Sequence, residues 1–212
     1  MCCRYYMFLT SQTRVLEEEL RQSPLTQETQ KRIERPVKTS GEIWPTDLTT
    51  VYAANKNGVP KAFAMVWGYR GKDGRTTLFN ARSETAADKP TFREDWLTHR
   101  CVVPASGYYE WTKRKNGASG SGTKYAVHSR NGEAMWLCGL YRMEEGVPHF
   151  VILTRDASEP LAFLHDRMPL VLAKTEVRRW IDPHSDPAQL LKKAEDDLCA
   201  EEAKRMDETT TG

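Results

Sequence analysis

Cys101-Val102-Val103-Pro104-Ala105-Ser106-Gly107-Tyr108-Tyr109-Glu110-Trp111 is the stretch on which the fold turns. Two short runs, 101–103 and 108–111, flank a Ser-Gly break, and runs of this length rich in Val, Tyr and Trp read as strands. The second carries a single charge, Glu110, among aromatics. Similar runs recur on either side, at Val51 to Ala54, Phe63 to Tyr69, Leu78 to Phe79, Tyr125 to His128, Met135 to Tyr141 and Phe150 to Leu153. Arg4 to Leu9 at the start of the chain is of the same kind. Together they predict a β-rich core. Helices are predicted at Ser11 to Gln22, with Val15, Leu16 and Leu20 on one side and glutamates on the other, and at Thr91 to His99, Ser158 to Leu164, Lys174 to Trp180 and Asp186 to Met206. Ser23 to Gly41, polar and holding Pro24 and Pro36, reads as a surface connection, and Asn116 to Gly122 as a hairpin tip. The class is α+β, with peripheral helices around the sheet core.

A chain of 212 residues can bury one sizeable core, so one domain is expected. The net charge of +2 is too small for a global field to recruit nucleic acid, so any such contact has to come from a local cluster. No apolar run approaches the roughly 18 residues of a membrane span, and the start lacks a basic stretch followed by an apolar one. A soluble, unexported, cytoplasmic chain is expected. The five cysteines are odd in number and expected to be reduced. Neither CxxC nor zinc-finger spacing occurs, so no metal and no cofactor is expected.

Cys2 has a chemical possibility that an internal cysteine lacks. Loss of Met1 would leave a thiol and an α-amine on one residue, and an α-amine with a pKa of roughly 7.7–8.0 is partly unprotonated near neutrality. Such a 1,2-aminothiol condenses with an aldehyde to an imine and then closes to a five-membered thiazolidine. The aromatic run after it would tie the terminus down. Four other settings stand out: the polar stretch Asn80-Ala81-Arg82-Ser83-Glu84-Thr85, Glu110, His165 in His165-Asp166-Arg167-Met168-Pro169, and Thr154-Arg155 at a strand end. A carboxylate desolvated among aromatics can hold a proton near neutrality. Each also has an ordinary reading: Asn80 as a turn cap, Glu110 alternating outward to solvent, His165 closing a helix.

Taken in order, Met1-Cys2 with Arg4, Pro45-Thr46, Trp67-Gly68, Asn80 to Thr85, Cys101 to Ala105 followed by Gly107 to Trp111, and His165 to Pro169 resemble the SRAP family, the SOS response-associated peptidases. The likeness runs from residue 1 to about residue 172. It implies one domain over 1–206 with a mixed or antiparallel barrel-like sheet, a frayed tail at 207–212, and a monomer that associates with the nucleoid when on DNA. The implied activity is removal of the chain's own Met1, followed by covalent crosslinking of Cys2 to abasic sites in single-stranded DNA. The implied roles are Cys2 as nucleophile, Asn80 holding terminus and sugar, Glu110 shuttling protons, and His165 donating to the sugar oxygen or binding a phosphate. Arg4, Arg82 and Arg167 would clamp phosphates, with Pro45, Trp67 and Thr154 completing the DNA-contacting set. The chain departs from the pattern at Cys3, where glycine is usual, and at Arg70 to Gly74, where some members carry DNA-wedging tryptophans. Two other readings compete. One is a conventional cysteine peptidase with a Cys2–His165 dyad; the other is a non-covalent module for single-stranded nucleic acid.

Overall fold

The computed structural model describes residues 3–8, 11–112 and 122–203, and the side chains of all of these but 11–13. The first half runs β1 (Tyr5–Met7), α1 (Ser11–Gln22), α2 (Pro24–Ile33), β2 (Gly41–Ile43), β3 (Leu48–Ala54), β4 (Pro60–Trp67), β5 (Tyr69–Arg70), β6 (Thr77–Leu78), β7 (Asn80–Arg82) and α3 (Arg93–Thr98). It continues through β8 (Arg100–Ala105), β9 (Gly107–Trp111), β10 (Lys124–Ser129), β11 (Met135–Glu144) and β12 (Val147–Asp156). It ends with β13 (Arg167–Pro169), β14 (Val171–Leu172), α4 (Lys174–Ile181), α5 (Pro187–Leu191) and β15 (Leu198–Glu202).

Five strands close on themselves, giving the barrel-like mixed sheet of an α+β fold. β3 pairs with β4 and β8, β8 with β11, β11 with β12, and β12 runs parallel to β4. A second, antiparallel sheet has the order β15-β10-β9-β1-β2. Period-two alternation divides the barrel strands between two cores. Val51, Trp67, Val103, Phe150 and Ile152 pack with Tyr5, Met7, Ile43, Tyr108, Val127 and Leu198 of the second sheet. Their neighbours Val102, Trp136, Val151 and Leu153 pack with Leu16, Leu20, Trp96 and Trp180 of the helices. The barrel is therefore covered by a sheet on one side and by helices on the other.

One irregularity positions the site. β4 leaves β12 at Gly68, whose φ of +124° is open to glycine and strained for other residues, and whose amide still donates to Phe150 O at 2.7 Å. A Cβ there would lie 2.4 Å from Thr77 Cγ2. Beyond it β7 takes the place of β4, with Asn80, Ala81 and Arg82 beside Ile152, Leu153 and Thr154.

The structure corrects the sequence reading in four places. The connection 23–41 contains α2, started by Ser23, whose Oγ accepts from the Thr26 amide, with Pro24 in the first turn. Ser-Pro is a helix-start signal that the polarity of the segment obscured. The helix expected over 158–164 is a single 3₁₀ turn, Glu159–Leu161. Asn80–Arg82, read as a stretch following a strand, is itself a strand. The long helix expected over 186–206 is replaced by the short α5 and then β15, whose residues 198–202 pair with 129–125 of β10. Leu198 is buried at that edge, and a paired ladder outweighs the helix propensity of a Glu/Ala-rich segment. The expected hairpin tip falls, apart from Gly122, outside the described residues, as do the tail and residues 204–206 of the expected last helix. Among the described residues no helix is long and apolar enough to cross a membrane.

Arg100 ties the helical layer to the barrel. It is 2% exposed, and its guanidinium donates to Trp96 O at 2.7 Å, Leu97 O at 2.9 Å, Trp180 O at 2.7 Å, Ser185 O at 3.0 Å and Asp182 O. These carbonyls lie at or just beyond the C-terminal ends of α3 and α4, where a cation is favoured. Arg100→Met is expected to cost about 3–5 kcal/mol in urea unfolding, because it orphans several buried acceptors at once. A loss below about 1 kcal/mol would show that water replaces the guanidinium.

Candidate functional site

β1 delivers the N-terminal segment into the molecule. It lies between β2 and β9, with Tyr5 opposite both Ile43 and Tyr108. The Tyr109 amide donates to Arg4 O and the Ser106 amide to Tyr6 O, each at 2.9 Å. Tyr5 is fully buried, with its ring 5.2 Å from that of Trp67. Trp67 stacks on Phe150 and donates from Nε1 to Phe79 O at 2.8 Å, one residue before Asn80. A relay of packed rings thus links the start of the chain to β7. Cys2 itself lies outside the described residues, so the expectation placed on it is carried by its sequence neighbours alone.

Glu110 and His165 are joined to the same region through aromatics. Glu110 is 6% exposed, two positions from buried Tyr108 and therefore on the same side of β9. Its Oε1 accepts from the Trp111 amide at 3.4 Å. Across the ladder it faces Tyr125, whose ring meets Phe163 edge-on at 5.4 Å, two residues before His165. This burial replaces the outward-facing alternative for Glu110. His165 does not close a regular helix. Its Nδ1 accepts from the Arg167 amide at 3.0 Å, so in the neutral ring the proton sits on Nε2.

Arg82, Thr154 and Pro169 are register neighbours across β7, β12 and β13. Arg82 is exposed, whereas Thr154 is 1% exposed and its Oγ1 donates to Ala81 O at 3.4 Å. Arg167 is held from several sides: a two-pronged contact with Glu84 at 2.8 and 2.7 Å, an ion pair with Asp156, and donation to Thr154 O at 2.6 Å. Burial pushes the Glu84 carboxyl up, but the hydrogen bonds and charge of Arg167 outweigh it and leave the group below its ordinary value. Reciprocally, burial works against the Arg167 cation and its two carboxylate partners raise it.

Arg4 belongs to a different face. Its guanidinium stacks 3.3 Å from the ring centre of Trp44 and 4.9 Å from that of Trp111, and it pairs with Glu42 at 3.3 Å. Glu42 also holds Lys124 at 2.7 Å, and Lys124 lies 3.6 Å over the Tyr109 ring. Sequence reasoning passed over Trp44, Glu42 and Lys124, although an exposed Trp directly before Pro45 was a visible signal. Pro45 is half-buried in the turn after β2, and Thr46 has a φ of +74°, an outlier for a β-branched residue. Arg35 Nη1 donates to Thr46 O at 3.2 Å, and the Thr46 amide to Trp67 O at 2.8 Å. Trp67 has no exposed surface, so its expected place on a DNA-contacting surface gives way to packing beneath it. Among the described residues no cluster of three His, Cys, Asp or Glu could hold a metal ion.

The family profile described as SOS response associated peptidase (SRAP) matches residues 1–206. Abasic site processing protein YoqW of Bacillus subtilis is 34% identical over 119 residues, which is 53% of this chain and 52% of that protein. Abasic site processing protein YedK of Escherichia coli is 29% identical over 120 residues, 54% of this chain and 52% of that protein. The chain thus spans about half the length of these curated relatives. A crystal structure of a protein from Bacteroides thetaiotaomicron superimposes with a TM-score of 0.75 at 21% identity, covering 96% of this chain and 93% of that one. At that identity the likeness shows the fold.

Proposed function

Because the chain belongs to the SOS response associated peptidase (SRAP) family, we propose that it processes abasic sites in single-stranded DNA by crosslinking them to Cys2 after removing its own Met1. The observation that carries this reading is the burial of Tyr5 against Trp67, whose indole grips the backbone immediately before Asn80. It holds the start of the chain in register with the strand that bears Asn80 and Arg82. The matched relatives are abasic site processing proteins by name, and an abasic sugar in its ring-opened form is an aldehyde.

The α-amine of Cys2 attacks the aldehyde carbon, and water leaves to give an imine. The thiol then adds to the imine carbon, and its proton moves to the nitrogen as the thiazolidine closes. Asn80 positions the amine and the sugar. Glu110 relays protons in ring opening and dehydration, and the Nε2 proton of His165 meets the sugar or phosphate oxygen. Arg82 supplies the exposed phosphate contact, while Arg4 offers a cation backed by two indoles. The buried Thr154 and the tethered Arg167 shape the floor.

The test is a single-stranded oligonucleotide with one abasic site, mixed with the protein and run on a denaturing gel. A retained band supports the reading, and binding seen only under native conditions would turn it into the non-covalent module. Salt titration adds a second measure. With a slope of roughly −0.7 per neutralised phosphate for single strands, Arg82→Ala should flatten log affinity against log salt by about 0.7. Arg167→Ala should flatten it less, since Glu84 and Asp156 already occupy that cation. Equal slopes for wild type and Arg82→Ala would remove Arg82 from the contact set.

A further inference from the structure

On the outward side of the antiparallel sheet, β10 and β15 place His128 directly opposite Cys199. The thiol Sγ lies 3.5 Å from Nδ1 and 3.7 Å from Nε2 of the imidazole. Nδ1 is also 3.1 Å from Ser129 O. A carbonyl oxygen only accepts, so the Nδ1 proton is committed there and Nε2 is left as the accepting nitrogen of the neutral ring, within 3.7 Å of the thiol. Glu201, two residues along β15 on the same side, brings Oε1 to 3.8 Å from Nε2, where it stabilises the ring once protonated. Tyr6 also lies near the pair, and Glu133 lines the adjoining groove with His128; burial, with Tyr109, Cys199 and Glu201 nearby, pushes the Tyr6 phenol up to about 12, so it stays a neutral hydroxyl.

Space adjoins the His128 side of the pair. A groove of about 270 Å³ is lined by Tyr6, Phe8, Ala105, Ser106, His128 and Gly132, among others. Phe8 is 63% exposed at its rim. The Tyr6 ring crosses Gly107, where any Cβ would fall 2.3 Å from the Tyr6 hydroxyl. Glycine is required there for the ring to lie as it does. Cys199 is partly exposed, whereas Cys101 and Cys138 are fully buried and their thiols are pushed well up, mainly by that burial.

We propose that Cys199 and His128 form a second nucleophilic site, separate from the Cys2 chemistry, which takes low-molecular-weight disulfides and becomes a mixed disulfide. The Cys199 proton passes to His128 Nε2, and the thiolate attacks one sulfur of the incoming R–S–S–R. The S–S bond breaks, a Cys199–S–R bond forms, and the departing RS⁻ takes the proton from the imidazolium. Cys199 is oxidised and the small disulfide is reduced to one thiol and one protein-bound half. Glu201 is the positioning carboxylate, and the apolar groove walls receive the carbon skeleton.

Full-length protein is incubated with glutathione disulfide at pH 7, and adducts are mapped by peptide mass spectrometry against time. A thiol of ordinary pKa near 8.5 is only a few per cent thiolate at this pH, so loss of the imidazole should slow the Cys199 adduct by about tenfold in His128→Gln. Glu201→Gln should slow it by about threefold, with Cys101 and Cys138 unmodified throughout. Adducts confined to Cys2 or Cys3, or equal Cys199 rates in wild type and His128→Gln, would overturn the proposal. If His128→Gln melts early, wild type alone decides. A Cys199 rate at pH 7 no faster in the folded protein than in the urea-unfolded one, where the pairing is absent, refutes the proposal; a rate about tenfold faster when folded supports it. None of these outcomes depends on the DNA reading.

Discussion

Cys2→Ala should leave no protein-bound band on a denaturing gel after incubation with abasic single-stranded DNA, where wild type is expected to retain one. The α-amine of alanine can still form an imine, but that bond hydrolyses under denaturing conditions. Only ring closure through the thiol makes the adduct survive. The substitution leaves the anchor untouched, because the strand that fixes the terminus begins at Tyr5 and is held by β2 and β9. Native-gel affinity should therefore stay within a few-fold, and the melting temperature should not move. Intact mass is the companion measurement: the active protein should be short by Met1, and one residue added before Cys2 should abolish the adduct. A conventional cysteine peptidase would tolerate that extension, since its nucleophile needs no free amine. A retained band from Cys2→Ala would put the nucleophile elsewhere, with Cys3 the first residue to test. Cys3→Gly should crosslink at least as fast as wild type, because residue 3 offers a thiol without the amine.

Strands were legible where residues of one type recur. Met135 to Tyr141 and Phe150 to Leu153 are apolar on both faces because each lies between two cores; the observed β11 and β12 extend beyond them towards the hairpin turn at Glu145, whose φ is +50°, and β12 also through residues 154–156, which pair with β13. The short strands β2, β7 and β13 escaped because their existence depends on a neighbour. Gly41–Ile43 is a strand only against β1, and Asn80–Arg82 only along the edge that β4 vacates at Gly68. Such elements have little periodicity to read. The same dependence made β15 look helical, since its charged residues carry no signal of the ladder waiting at β10.

Of the candidate site, the residue types were legible and the neighbours were not. Arg167 reads in sequence as a free cation, yet Glu84 and Asp156 reach it from 83 and 11 residues away along the chain. Trp67 was placed in the DNA-contacting set by the resemblance, but its indole serves the packing of Tyr5, and the glycine after it serves the exit of β4. Arg4 was read as a phosphate clamp without sight of Trp44 and Trp111, whose rings lie 3.3 and 4.9 Å from its guanidinium. A base or sugar could meet that same stack. In each case the missing information was the partner across a sheet, which local pattern does not encode.

Glu110→Gln should lower the single-turnover rate of crosslinking by about 10²–10⁴-fold, the range for a positioned acid or base, with little effect on affinity. The exchange is nearly isosteric, and the carboxamide oxygen can still accept from the Trp111 amide as Oε1 does. What it cannot do is take up and release a proton beside the reacting carbon. Burial at 6% exposure sharpens the expectation, since bulk water has little access through which to substitute as the relay. Retained Met1 would block the amine and imitate a catalytic defect, so Cys2 has to be exposed independently by cleaving an N-terminal fusion before the rate is measured. If the pre-exposed variant crosslinks at the wild-type rate while the unprocessed one keeps Met1, Glu110 acts in maturation alone. A loss in both, with unchanged native-gel binding, assigns it to the proton transfers of the sugar chemistry. A loss in affinity equal to the loss in rate would instead mean that the buried carboxylate shapes the pocket, and that the proton is carried by His165 or by solvent.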